Sequence, residues 1–320
     1  VKQNSPRVKE KIKAAIAKKV IAAAIIAIVP ALFILLLMMF FMQGTGINKN
    51  PMAMAKGIDI PAAYLTLARQ SSDENEIDFA YFLTLSAEMA KFNPDKYKSD
   101  LIPKVLERAR TGSPASLNKS SKTIYDMYSG YYNYLNASPI PKSKITTTRT
   151  KRLKSVNPEE YEYETSTTET FYSYSHYDDF GAQRTFGGNR AHEGNDLIAS
   201  AGVPIVSISD GIVRDMNWND FGGNIVGVIT GPDTYFYYAH MQSFNPDLHE
   251  GDYVNAGDLL GYVGNSGYGP PGTTGMFVNH LHLQIGIKID GLKERFYVSP
   301  YNIVTFLDDY RVTIYEEISN

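Results

Sequence analysis

The chain has no cysteine. That absence excludes disulfides, thiolate zinc sites and cysteine nucleophiles together. An excess of charge of one sign is missing too. The 31 basic and 34 acidic residues leave a formal net charge of −3, which offers no footprint for nucleic acid or another polyanion. Histidine is scarce, with six in 320 residues. No repeat at solenoid-type spacing is present. At this length the chain has room for two compact domains, or for one plus a membrane segment.

Long apolar runs are absent except at residues 20–42, "VIAAAIIAIVPALFILLLMMFFM". As a helix this run spans roughly 35 Å, enough for a hydrocarbon core of roughly 30 Å. Pro30 inside it would cost a soluble helix about 3 kcal/mol, but membrane spans tolerate proline. The run has no polar face, so a buried soluble helix fits poorly. It is longer than a usual signal-peptide core, and no small-x-small site follows directly; Ala53, Met54 and Ala55 ("AMA") lie farther on. Lys2, Arg7, Lys9, Lys11, Lys13, Lys18 and Lys19 precede the run, against the single acid Glu10. The expectation is an uncleaved single-pass anchor in the cytoplasmic membrane. Residues 1–19 are then cytoplasmic, and everything after residue 42 is outside.

Residues 43–136 read as a small helical region. "EIDFAYFLTLSAEMAKF" carries Ile77, Phe79, Ala80, Phe82, Leu83 and Leu85 ahead of Asn93-Pro94. Glu74, Glu76 and Asp78 read as a solvated face. Residues 137–170, rich in Thr, Ser, Lys and Pro, have linker composition. From residue 171 to residue 310, short β-rich runs alternate with Gly turns, and residues 311–320 read as a tail. The expected fold class is therefore α+β: a transmembrane helix, a small helical region, then a mostly antiparallel β domain. "GVPIVSISDGIV" and the later "GDYVNAGDLLGYVG" are also how lipoyl-type β-sandwiches read. The helices and linker show no catalytic pair, so a chain beginning near Thr170 is expected to keep the chemistry.

All six histidines fall between residues 171 and 310, and four of them sit in three motifs. "HEGND" supplies His192 and Asp196, "YYAHM" supplies His240, and "NHLHLQ" supplies His280 and His282. In a strand, His280 and His282 share a face. Histidine and carboxylate are the zinc ligands left to a chain without cysteine. A catalytic zinc takes three protein ligands and leaves one position open, so five candidates are too many for ligands alone. Each motif singly is common; all three in one β domain are hard to explain by chance. His176 and His249 lie outside the pattern and read as surface residues. Glu193 is not the base of a His-Glu-x-x-His site, because the second histidine of that motif is absent. Arg184 and Arg190 flank the first motif and are candidates to grip a substrate carboxylate. "GNSGYGPPGTTG", residues 264–275, reads as a loop near the cleft mouth.

"RAHEGND", "YYAHM" and "HLH" resemble the motifs of the M23 zinc metallopeptidases, the lysostaphin-type or LytM-like peptidoglycan endopeptidases. The resemblance covers nearly half the chain, about Tyr172 to Phe306, with every motif position filled. "YDDFGAQRTFGGNRAHEGNDL", "FGGNIVGVI" and "GNSGYGPPGTTGMFVNHLHLQ" look closer to one branch, the membrane-anchored, sporulation-associated enzymes that cut between L-Ala and D-Glu of the stem peptide. The resemblance implies a zinc cofactor held by His192, Asp196 and His282. It implies that His240 and His280 stay unligated and act on the substrate. It implies peptidoglycan as partner, outside the membrane. One rival is a catalytically silent scaffold of the same fold in cell-envelope assembly, but such members usually lack a ligand. Another is a lipoyl-like carrier, which needs an exposed lysine at a hairpin tip and has no use for the histidines.

Overall fold

The computed structural model describes residue 55 and residues 58–152, 161–170, 172–186, 188–231, 234–288 and 295–319. The basic front and the expected membrane helix at residues 1–42 lie outside the described residues. Among those described, no helix is long and apolar enough to cross a membrane.

Four α-helices open the described chain: α1 (Ala62–Glu74), α2 (Phe79–Ala90), α3 (Ile102–Arg110) and α4 (Lys119–Ser129). α2 starts where the Asp78 side chain accepts a hydrogen bond from the Tyr81 N–H at 2.7 Å. It stops at Lys91, whose left-handed backbone (φ 54°) turns its N–H back to the Ala87 and Glu88 carbonyls. Both are ordinary cap solutions for orphan backbone groups. α2 is buried nearly all round, which makes it the axis of the helical region. Around it pack Tyr64, Tyr128, Tyr131 and Tyr132, all 2 % exposed or less.

The strands follow in chain order. They are β1 (Lys142–Arg152), β2 (Tyr161–Thr170), β3 (Gln183–Arg184), β4 (Arg190–Ala191), β5 (Asn195–Ile198), β6 (Pro204–Val206) and β7 (Gly211–Asn219). Then come β8 (Gly223–Thr230), β9 (Thr234–Phe244), β10 (Tyr253–Val254), β11 (Leu259–Val263), β12 (His280–Ile287) and β13 (Phe296–Val298). A last helix, α5 (Tyr301–Leu307), precedes β14 (Thr313–Ser319). The main sheet runs β10-β7-β8-β9-β11-β6, with β12 joined to β9, β5 and β13. Every pairing in it is antiparallel. This is the mostly antiparallel β domain expected.

Three expectations about organisation need correction. Residues 137–170 are not an irregular linker. Ala137 and Ile140 are fully buried, and β1 pairs with β2 in register from Ser143↔Thr170 to Arg152↔Tyr161. A Thr-rich stretch reads as linker by polarity, yet β-branched threonine favours strands once a partner exists. Residues 311–320 are not a free tail either: β14 lies parallel to β1. Finally, the helices are not separate from the β domain. Their side chains belong to one continuous hydrophobic cluster with those of the sheet and α5. Phe79 of α2 lies 6.2 Å from Phe306 of α5, ring centre to ring centre. Asn302 of α5 accepts from the Ala62 N–H and donates to Asp59. A chain beginning near Thr170 would lack about half of that core's residues.

Candidate metal centre and active site

Strand register assembles the first pair. On β12, His282 stands opposite Asp196 of β5, and His280 stands opposite Ile198. Directly opposed residues have Cβ atoms about 4.5–5.5 Å apart. His192 arrives from the turn just ahead of β5. Its Nε2 is 3.0 Å from Asp196 Oδ1 and 2.8 Å from His282 Nδ1. His282 Nδ1 is in turn 2.8 Å from Asp196 Oδ1. Gly194 makes this closeness possible. A Cβ there would sit 2.5 Å from the Leu283 carbonyl oxygen and 2.7 Å from His282 Cε1.

The back of the trio is polar and tightly held. His192 Nδ1 lies 3.1 Å from both the carbonyl and the carboxylate Oδ2 of buried Asp179. Both oxygens only accept, so Nδ1 carries the hydrogen and Nε2 is bare in the neutral ring. Arg184 Nη2 donates to Asp179 Oδ2 at 3.0 Å and to Asp196 Oδ2 at 2.6 Å. Asp196 therefore has one oxygen held by arginine and the other among the imidazoles. Asn195 Nδ2 donates to Asp179 Oδ1 at 2.8 Å, and Asn195 Oδ1 meets His176 Nδ1 at 2.8 Å.

Three acceptor atoms thus converge at 2.8–3.0 Å from one another. Ligand atoms around a tetrahedral zinc stand roughly 3.3 Å apart, given bonds of about 2.0–2.1 Å. Two imidazole nitrogens and one carboxylate oxygen suit that ion, and the residues present fit it. Among the described residues, His192, Asp196 and His282 are the one group of three or more such side chains that converges this closely.

His240 and His280 stand beside the trio. On β9 one extra residue bulges between the pairs Asn224↔Met241 and Val226↔Tyr238. His240 lies in that bulge with φ 64°, a conformation costly for a non-glycine residue. Bulges re-aim side chains, and this one sets the His240 ring 4.6 Å from the His280 ring. His240 Nδ1 donates to the Ser266 carbonyl, and His280 Nδ1 donates to the Val278 carbonyl, each at 2.8 Å. Each ring thereby keeps Nε2 for other work. His280 Nε2 is 3.7 Å from Asp196 Oδ1. One pocket is lined by all five of these residues and by Arg184, Arg190, Phe221, Tyr237 and Tyr268.

Residues 190–293 match the sequence profile of Peptidase family M23. The chain carries an M23 peptidase domain. Over 128 residues it is 41% identical to the L-Ala–D-Glu endopeptidase of Bacillus subtilis (strain 168), covering 40% of this chain and 39% of that protein. Over 95 residues it is 33% identical to lysostaphin of Staphylococcus simulans, covering 29% of this chain and 17% of that one. Both matches take in well under two thirds of the relative. A crystal structure assigned as a glycyl-glycine endopeptidase LytM from Ruminococcus gnavus superposes with a TM-score of 0.57 at 27% identity. It covers 79% of this chain and 88% of that one, so the likeness extends beyond the M23 domain.

Electrostatics within the M23 domain follow from its geometry. Burial lowers the pKa of His192, but Asp179 and Asp196 outweigh it and take it to about 9. Burial would raise Asp196; hydrogen bonds from His192 and His282 win and hold it far below the carboxylate range. His282 also touches Asp196 yet moves down, because it is buried and lies against two other imidazoles with no second carboxylate behind it. His240 is pushed well below its ordinary value by burial and by His280 and His282, and is neutral at pH 7.

The five sequence candidates meet in one place, and both arginines line the same pocket. Arg184 is committed to two carboxylates. His249 is exposed, as expected. His176 is not a plain surface residue, since it joins the Asn195–Asp179 chain behind His192. Sequence reasoning missed Asp179, Gly194, Ser266 and Tyr268. Asp179 follows another Asp and had no spacing to mark it; Gly194 lay in plain view between two ligand candidates, and its contact with His282 is visible only in three dimensions.

Proposed function

We propose that the chain is a zinc peptidase that hydrolyses the L-Ala–D-Glu bond of peptidoglycan stem peptides. It is held in the cytoplasmic membrane by residues 20–42, with the M23 domain outside. The observation that carries the activity is the convergence of His192, Asp196 and His282 beside His240 and His280 in a domain of a peptidase family. The choice of bond rests on the likeness to a protein named for that bond. The topology rests on the apolar run and its lysine-rich front.

His192 Nε2, Asp196 Oδ1 and His282 Nδ1 would hold the metal. A bound zinc supplies Lewis acidity and brings the pKa of its water to about 7. Asp179 fixes the His192 tautomer, and Arg184 keeps Asp196 single-handed toward the site. His240, neutral and oriented by the Ser266 carbonyl, takes a proton at Nε2 as water adds to the peptide carbonyl. That proton then goes to the leaving amine as the C–N bond breaks. His280, whose Nδ1 hydrogen goes to the Val278 carbonyl, donates from Nε2 to the developing oxyanion as the imidazolium.

One experiment addresses both parts. Intact protoplasts displaying the chain are given soluble stem peptides and zinc, and the products are read by mass spectrometry. Fragments beginning with D-Glu should appear outside without lysis. Release only after lysis would put the domain inside, and no release from zinc-loaded protein would sink the peptidase reading.

A further inference from the structure

The two pocket arginines differ in a way that assigns them different work. Arg184 is neutralised twice over, by Asp179 and Asp196. Arg190 meets only neutral partners among the described residues. Its Nε donates to the Phe186 carbonyl at 3.4 Å, its Nη2 lies 3.4 Å from the Tyr268 hydroxyl, and its Cζ sits 5.3 Å over the Phe221 ring. No described carboxylate lies within ion-pair distance of it. A half-buried guanidinium without a counter-charge is costly unless something anionic visits.

The frame around Arg190 is built rather than incidental. The Phe186 and Tyr268 rings stack in parallel with centres 4.0 Å apart, and Phe221 packs edge-on to Phe186 at 5.9 Å. Tyr268 holds a positive φ of 60°, a second strained non-glycine residue at this pocket beside His240. Its ring lies 6.0 Å from that of His240. The aromatic shelf therefore presents the guanidinium at the pocket that holds the candidate catalytic groups.

Resting on the reading above, we propose that Arg190 determines specificity by binding the free carboxylate of the residue on the amine side of the scissile bond. A glutamyl residue that continues the chain through one carboxyl keeps the other free. Where the chain continues through the γ-carboxyl, the free α-carboxylate is one carbon from the cleaved nitrogen, so an anchor near the catalytic groups is where it must lie. A planar fork matches a carboxylate with two parallel hydrogen bonds, which a lysine cannot reproduce. Converting the carboxylate to an amide removes the charge and half of the acceptors.

The test uses the full chain in detergent, loaded with zinc, and two synthetic stem peptides that differ only in a free carboxylate or a carboxamide at that glutamyl residue. The wild type should cleave the acid about 10²-fold more efficiently than the amide. R190Q should lose that factor on the acid, chiefly in KM, and stay within about threefold on the amide. R190K should recover only part of the loss. Equal losses on both peptides would make Arg190 structural and overturn the proposal, as would a wild type that prefers the amide. A second readout is direct binding of both peptides to the metal-free chain. If wild type cleaves neither peptide, the peptidase reading fails; tighter binding of the acid, lost in R190Q, still supports the Arg190 assignment, and equal binding overturns it.

Discussion

The helical region and the β domain bury polar side chains to comparable depth and make opposite use of them. In the helices the buried titratable groups are phenols. Burial pushes Tyr128, Tyr131 and Tyr132 well above the ordinary phenol pKa, so they simply stay neutral. Tyr128 packs edge to face against Tyr131 and Tyr132, the latter at 5.4 Å, and the Tyr128 hydroxyl donates to the Ile58 carbonyl. Such a core is stable at every physiological pH and does no chemistry. The β domain buries Tyr238 in the same way, but it also buries imidazoles and carboxylates, whose charges cannot be ignored. They survive burial only by compensating one another around a small gap suited to a cation. A buried cluster that needs a further charge to be satisfied is a site, and one that needs none is a core.

The largest test of that contrast is on the two histidines of β12. His282→Ala should lose bound zinc at moderate chelator strength and with it all measurable turnover, because two ligands hold the ion poorly. His280→Ala should keep the zinc, measured by metal analysis after dialysis, while kcat falls about 10²-fold or more. The reverse pattern of zinc retention would exchange their roles. A helical-region variant such as Tyr128→Phe should leave both quantities alone.

A smaller effect probes whether the two regions are one folding unit. Phe306 is 1% exposed and packs between Phe79 and Tyr310. Phe306→Ala should cost about 3–5 kcal/mol, by urea unfolding, in a single transition reported alike by helical and β signals. Two separated transitions would mean that the shared core is not cooperative.

The smallest effect is a pH signature confined to the β domain. Without metal, His192 has a folded pKa of about 9, above the unfolded 6.5. Its contribution to stability is complete below pH 6.5 and is lost as pH rises through 9. His240 has the opposite sign. Its folded pKa is depressed, so its contribution is present above 6.5 and lost on acidification. Scanning calorimetry of the metal-free chain should show the melting temperature falling by a few degrees from pH 6.5 to 9. Zinc-loaded protein should not show that fall, because the metal replaces the His192 proton. A metal-free profile flat across that window would remove Asp179 and Asp196 as the groups that hold the proton.

The sequence by itself determined the chemistry on offer. Without cysteine, a metal site had to be built from nitrogen and oxygen, and alternation along β12 already put His280 and His282 on one face. It also pointed to the antiparallel character of the second half, because short β-rich runs joined by Gly turns are local signals. Composition misled at residues 137–170, where polar threonines were strands whose partners lie elsewhere in the chain. Tertiary structure alone decided that His282 opposes Asp196, since register depends on a strand more than eighty residues away. It alone brought Asp179 behind His192, and it alone separated the two arginines. Arg184 and Arg190 are equivalent as letters, and only the fold places two carboxylates against the first and a shelf of aromatic rings under the second. Charge compensation is a property of neighbours in space, and a linear pattern does not name them.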